Sequence, residues 1–156
     1  MAERRQIPLD VEHLVELSRL LVSVAYRSLD AASTPIPLRQ FRALVLLSRS
    51  GPTTAGGLAA DLDMVPSTGT RLCDKLVACG WVSRVIRADN RREVELSITG
   101  KGQAIVDEVL ARRAAELEKV LHRLRPASRT ALSALLPELL AAADVATDSA
   151  RAAWTV

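Results

Sequence analysis

Between Pro8 and Ala32 the apolar residues Leu14, Leu17, Leu21, Val24 and Leu29 recur at helical spacing, which predicts a long helix over 9–32. Leu9, Val11, Val15, Leu20, Val22 and Tyr26 extend the apolar area around its circumference. A helix of that kind is poorly suited to water on its far side, so the rest of the monomer or a second chain must cover it. Ser33-Thr34-Pro35-Ile36-Pro37 breaks the pattern, because proline disfavours helix before it and suits a helix start. A second helix over 38–49 turns Phe41, Leu44, Val45 and Leu47 inward, and Gly51-Pro52 ends it.

Thr53-Thr54 offers a hydroxyl cap to a short helix over 55–62, with Leu58, Ala59 and Leu62 as its apolar side. After the brief connection Asp63-Met64-Val65, Pro66-Ser67 opens another helix that runs to about Cys79, packs Leu72, Leu76 and Val77, and stops at Gly80. Two short helices joined so tightly form a helix-turn-helix candidate. The period then changes from helical to alternating. Residues 81–86 and 93–98 pair as a β-hairpin around Ala88-Asp89-Asn90. Thr99 caps a long helix to about Leu124 with Ile105, Val109, Leu117, Val120, Leu121 and Leu124 on one side. Pro126 opens the last helix, which carries Leu132, Leu135, Leu136, Leu139 and Leu140, and Pro137 within it predicts a kink. The fold class is mainly α with a small β-hairpin.

A chain of 156 residues, 49% hydrophobic, buries one core, so a single domain is expected. The net charge of +3 says little until it is located. Arg84, Arg87, Arg91 and Arg92 fall within nine residues against the single acid Asp89, whereas 58–83 sets Arg71 and Lys75 against Asp61, Asp63 and Asp74. Positive potential is concentrated at the hairpin. Cys73 and Cys79 cannot build a disulfide framework. No secretory segment or apolar run of membrane-spanning length is seen, so a reducing cytoplasm and no membrane partner are expected.

Several chemistries find no residues to carry them. No serine or cysteine nucleophile stands in a pattern with a base, and Gly100-Lys101-Gly102 reads as a helix start, not a phosphate loop; no enzyme and no cofactor are expected. His13 and His122 have no companions at metal-ligand spacing. Cys73 and Cys79, six residues apart on one helix, point in different directions, and Cys73 reads as a small core hydrophobe. Trp81 reads as a plug between hairpin and helices.

The helix opened by Pro66 fits a different chemistry. Ser67, Thr68 and Thr70 are short enough to approach base edges, Arg71 supplies a long donor for guanine or phosphate, and Lys75 adds charge one turn on. The bland reading is a capped amphipathic helix with a solvated polar face. A hairpin beside a groove-bound helix can lay Arg84, Arg87, Arg91 and Arg92 on phosphates or into the minor groove, with Asp89 ordering the turn. One or two charges would suffice to keep a strand edge from aggregating, and four arginines exceed that need.

The combination resembles the winged helix-turn-helix of the MarR family of bacterial transcription regulators. The resemblance rests on Leu58-Ala59, Leu62, Ser67-Thr68, Thr70-Arg71-Leu72, Leu76, Gly80-Trp81-Val82 and Arg84, and most specifically on Asp89-x-Arg91-Arg92 followed by Leu96-Ser97-Ile98-Thr99-x-x-Gly102. It implies a winged helix-turn-helix lobe over 38–98 and a helical dimerisation lobe from 9–32 and 100–150. It further implies a homodimer on double-stranded DNA, acting as a repressor at a pseudo-palindromic operator and relieved by a small aromatic effector. Gly56-Gly57, Val65-Pro66 and Gly69 depart from the family pattern; Gly69 stands where an apolar side chain is usual, at about 1 kcal/mol of helix propensity relative to alanine. The alternative is a winged-helix dimer serving as a protein-interaction module for an acidic protein partner.

Overall fold

The computed structural model describes residues 9–86 and 94–146. The order is α1 (Leu9–Asp30), α2 (Leu38–Ser50), β1 (Thr53–Thr54), α3 (Ala55–Asp61), α4 (Pro66–Ala78), β2 (Val82–Ile86), β3 (Val94–Ile98), α5 (Gly100–His122) and α6 (Pro126–Ala146). Helix and hairpin positions agree with the sequence pattern to within a residue or two. The addition is β1. Thr53 and Thr54 pair antiparallel with Leu96 and Glu95, so the sheet among the described residues has three strands in the order β1-β3-β2. Thr54 also serves as the expected cap, its hydroxyl oxygen accepting from the Gly57 N–H.

The core is built where α2 meets α3, α4, the sheet and the first half of α5. Phe41, Leu44, Leu47, Leu58, Leu72, Cys73, Leu76, Trp81, Val82, Leu96, Ile105, Val106 and Val109 are buried together. Trp81 fills the junction foreseen for it. Burial pushes the Cys73 thiol up, with the neighbouring Asp74 carboxylate adding to the shift, and the side chain behaves as a core hydrophobe.

Of the two covers open to α1, its own chain supplies little. Only its C-terminal end is covered, where Val24 and Leu29 are buried; Leu14, Leu17 and Leu21 of the apolar stripe are exposed, as are Val11, Val15, Val22 and Tyr26. Its 22 residues rise about 33 Å, and within the chain it packs on α5. α6 is similarly bare, with Leu135, Leu136, Leu139 and Leu140 between 41% and 63% exposed.

The segment after α1 is clamped to α5 by Glu108. Its carboxylate accepts from the Ser33 N–H (2.9 Å) and hydroxyl (2.5 Å) and from the Arg112 guanidinium (2.9 Å). These bonds, those from Ser33 first, hold its pKa down from the ordinary 4.5 to about 2. A depressed carboxylate stabilises the fold above its unfolded pKa, and that contribution disappears as pH falls through the folded value. Glu108→Gln is therefore expected to lower Tm at neutral pH, and its gap from the wild type should close as pH is taken from 4.5 to about 2. Thermal unfolding across that range checks it, and a gap independent of pH would refute the clamp.

Candidate nucleic-acid interface

The turn between α3 and α4 is a helix stop of specific geometry. The Met64 N–H reaches the Ala59 carbonyl (2.9 Å) and the Asp63 N–H reaches the Ala60 carbonyl (3.0 Å), with Asp63 left-handed at φ 52°. Aspartate tolerates that conformation better than most residues. α4 then crosses close over α3 at Gly69. A Cβ there would lie 2.4 Å from the Ala59 Cβ, nearer than any real contact allows. The departure at Gly69 is thus a steric requirement. Alanine would gain about 1 kcal/mol of propensity but lose roughly 1–3 kcal/mol to overpacking, so Gly69→Ala is expected to be net destabilising in urea unfolding. A more stable variant would show that α3 gives way.

Away from the core, α4 exposes Ser67, Thr70, Arg71, Asp74, Lys75 and Ala78 as one continuous face, since these positions recur at three- and four-residue steps. Pro66 occupies the first turn, preceded by Val65, and the helix start carries no side-chain cap. Thr68 is half-buried, so it stands at the edge of this face and not at its centre. The Thr70 hydroxyl donates to the Pro66 carbonyl (3.0 Å), which leaves its oxygen lone pairs and methyl outward.

The end of α4 aims the hairpin. Gly80, at φ 71°, closes the helix while the Trp81 N–H bonds the Leu76 carbonyl (3.1 Å) and the Gly80 N–H bonds the Val77 carbonyl (2.9 Å). β2 and β3 follow in a register that sets Val82 opposite Ile98 and Ile86 opposite Val94. Ile86 is 64% exposed and Val94 43%, so the far end of the hairpin stands clear of the core. Arg87, Asp89, Arg91 and Arg92 lie outside the described residues. Arg84 is seen, and it is engaged: its guanidinium forms an ion pair with Asp74 of α4. Sequence reasoning counted Asp74 only as charge in another segment; ten residues separate the partners, and only the packing of β2 on α4 brings them together.

α5 starts against the same junction. The Thr99 hydroxyl accepts from the Gly102 N–H (3.1 Å) and donates to the Gly80 carbonyl (2.8 Å). The Thr99 N–H bonds the Trp81 carbonyl (3.0 Å), and the Lys101 ammonium donates to the Cys79 carbonyl (3.1 Å) at the end of α4. A cleft of about 310 Å³ lies further along, where Arg27, Ser28 and Ala31 of α1 face Arg112, Ala115, Glu116 and Lys119 of α5. Glu116 is held below the usual carboxylate range by Lys119 first and then Arg27.

The profile of the MarR family matches residues 36–94, the stretch from just before α2 to the first residue of β3. The crystal structure of Rv1404 from Mycobacterium tuberculosis is similar at 31% identity and a TM-score of 0.78, over 90% of this chain and 97% of that one. The chain belongs to the MarR family. Another solved MarR family protein, from Bacillus stearothermophilus, matches at 27% identity and a TM-score of 0.71 over 83% of this chain and 90% of that one. The uncharacterized HTH-type transcriptional regulator YhbI of Bacillus subtilis is 28% identical over 109 residues, 69% of this chain and 71% of its own length. The protein is thus a MarR-family transcription regulator with a winged helix-turn-helix, and not an enzyme. Among the described residues, no helix of this MarR-family chain is long and apolar enough to cross a membrane.

Proposed function

We propose that two copies of the chain bind a pseudo-palindromic operator in double-stranded DNA and repress transcription from it. The observation that carries this reading is the exposed face of α4, where Ser67, Thr70, Arg71 and Lys75 stand together on a helix whose start is open and uncapped. In this reading 38–98 forms the DNA-binding lobe. The α4 start approaches the major groove, Pro66, Ser67, Thr68 and Thr70 line the base edges, and Arg71 and Lys75 supply long cationic donors. Arg87, Arg91 and Arg92 meet phosphates or the minor groove, with Asp89 ordering the turn between them. The segments 9–32 and 100–150 pair with their copies, which gives the exposed leucines of α1 and α6 a partner. The cleft between α1 and α5, bordered by Ser28, Ala31 and Ala115 as well as by the ion pairs of Glu116 with Arg27 and Lys119, is the place for a small aromatic effector in this reading.

Duplexes selected by the protein from a random pool, then titrated with salt in a mobility-shift assay, test the reading. Arg71→Ala should cost about 1–3 kcal/mol on the selected duplex and much less on random DNA, as expected of a residue that reads a base edge. Arg91→Ala should weaken both alike and flatten the log-log salt dependence by about 0.9, as expected of one lost phosphate contact. Indifference of the wild type to every duplex would instead favour a protein-interaction module for an acidic partner.

A further inference from the structure

Arg84 was expected to join the other hairpin arginines on the DNA. In the structure it is engaged within its own chain. Along β2, Val82 is buried, and Arg84, two residues on, leaves the strand from the same face of the sheet as Val82. That face packs on the helices, so the side chain is delivered toward α4, where its guanidinium meets the Asp74 carboxylate. Asp74 is not in a remote place. It sits on the exposed face of α4 in the turn that also carries Arg71 and Lys75, three residues and one residue away.

The two side chains are 52% and 55% exposed. A solvated pair of that kind adds little to folding, because water screens it and two long side chains must be ordered to form it. Its larger consequence is where charge sits. Unpaired, the Asp74 carboxylate would place a negative charge in the middle of the surface offered to a polyanion, and the low dielectric of a closed interface would magnify the repulsion. Paired, the same surface presents Arg71 and Lys75 beside a neutral unit.

We propose that Arg84 is a positioning residue that neutralises Asp74 and ties the base of the hairpin to α4, and is not a phosphate ligand. The inference rests on the DNA-binding reading above and deepens it: net cationic character at the centre of the interface depends on a bond between helix and wing. Releasing Arg84 should make binding stronger and less selective. Removing Arg84 alone should expose the carboxylate and weaken binding.

Four proteins decide it: the wild type, Asp74→Asn, Arg84→Gln and the double variant, each titrated with salt on selected and random duplexes. Asp74→Asn is expected to raise affinity for random duplex several-fold and to steepen the salt slope by up to about 0.9, as the freed guanidinium finds a phosphate. Arg84→Gln is expected to lose about tenfold on both duplexes through the uncovered carboxylate. The double variant should return close to the wild type, with the wild-type slope. Matching melting temperatures across the set keep folding out of the comparison, and Arg84→Lys should rescue most of the loss.

If Arg84→Gln and the double variant lose the same affinity and about one unit of slope, Arg84 is a phosphate ligand and the inference is overturned. Four indistinguishable proteins overturn it too. A wild type that binds DNA while these couplings fail sinks this inference alone. A wild type that binds no duplex sinks it together with the operator reading.

Discussion

Replacing Gly102 by alanine should destabilise the whole chain by about 2–3 kcal/mol, at the upper end of what overpacking typically costs. Helix propensity points the other way, since alanine is favoured over glycine by about 1 kcal/mol in a helix. Geometry decides. A Cβ at Gly102 would lie 2.2 Å from the Trp81 carbonyl oxygen and 2.9 Å from the Ile98 side chain. The carbonyl cannot retreat cheaply, because it accepts the Thr99 N–H at 3.0 Å and belongs to a buried tryptophan. For a chain of this size the loss corresponds to a fall in Tm of roughly 5–10 °C. Gly100, in the same turn, has open space where its Cβ would be, so Gly100→Ala supplies the control and should leave Tm near the wild-type value. Equal behaviour of the two variants would show that the start of α5 shifts freely, against the packing described.

A charge placed on the bare faces of α1 and α6 should separate the subunits of the proposed dimer. Leu17 and Leu21 are 42% and 45% exposed in the single chain and Leu139 is 47% exposed, so substitution there spares the core. Burying one leucine is worth about 1.5–3 kcal/mol. About half of each side chain is left for a partner to cover and a twofold interface counts each substitution twice, so Leu21→Glu or Leu139→Glu removes roughly 1.5–3 kcal/mol of burial before the cost of two buried carboxylates is added. Sedimentation should then show monomers at concentrations where the wild type is dimeric. Affinity for a two-half-site duplex should fall by about 100-fold or more, because the second half-site is no longer held at high effective concentration. A dimer that survives both substitutions would remove these faces from the interface.

Most of the fold was legible because it is written in local signals. Thr54 and Thr99 are caps followed by apolar periodicity, Gly51 and Gly80 sit just past helix ends, and the change of period at Trp81 marks the hairpin. What escaped depends on distances between segments remote in sequence. β1 is two residues whose strand character comes wholly from pairing with Leu96 and Glu95. Gly69 looked like a flaw in a helix until the approach of Ala59 was seen. In the candidate site, the outward positions of Ser67, Thr70, Arg71 and Lys75 followed from the inward positions of Leu72 and Leu76. The engagement of Arg84 could not follow, because no periodicity connects a strand residue to one on the preceding helix. The exposed front of α1 was half legible: its excess of apolar surface showed in the sequence, and the structure adds that its own chain leaves it uncovered.

The bonds from Thr99 and Lys101 to the carbonyls of Cys79, Gly80 and Trp81 tie the end of α4 directly to the first turn of α5. In the proposed assembly, the pair of long helices thus acts as the arms of a caliper whose jaws are fixed to them without a joint. In that assembly the gap between the jaws, and hence which spacing of half-sites can be gripped, would follow from how the two pairs of arms meet. Whatever alters that meeting, even far from the duplex, re-spaces both jaws at once.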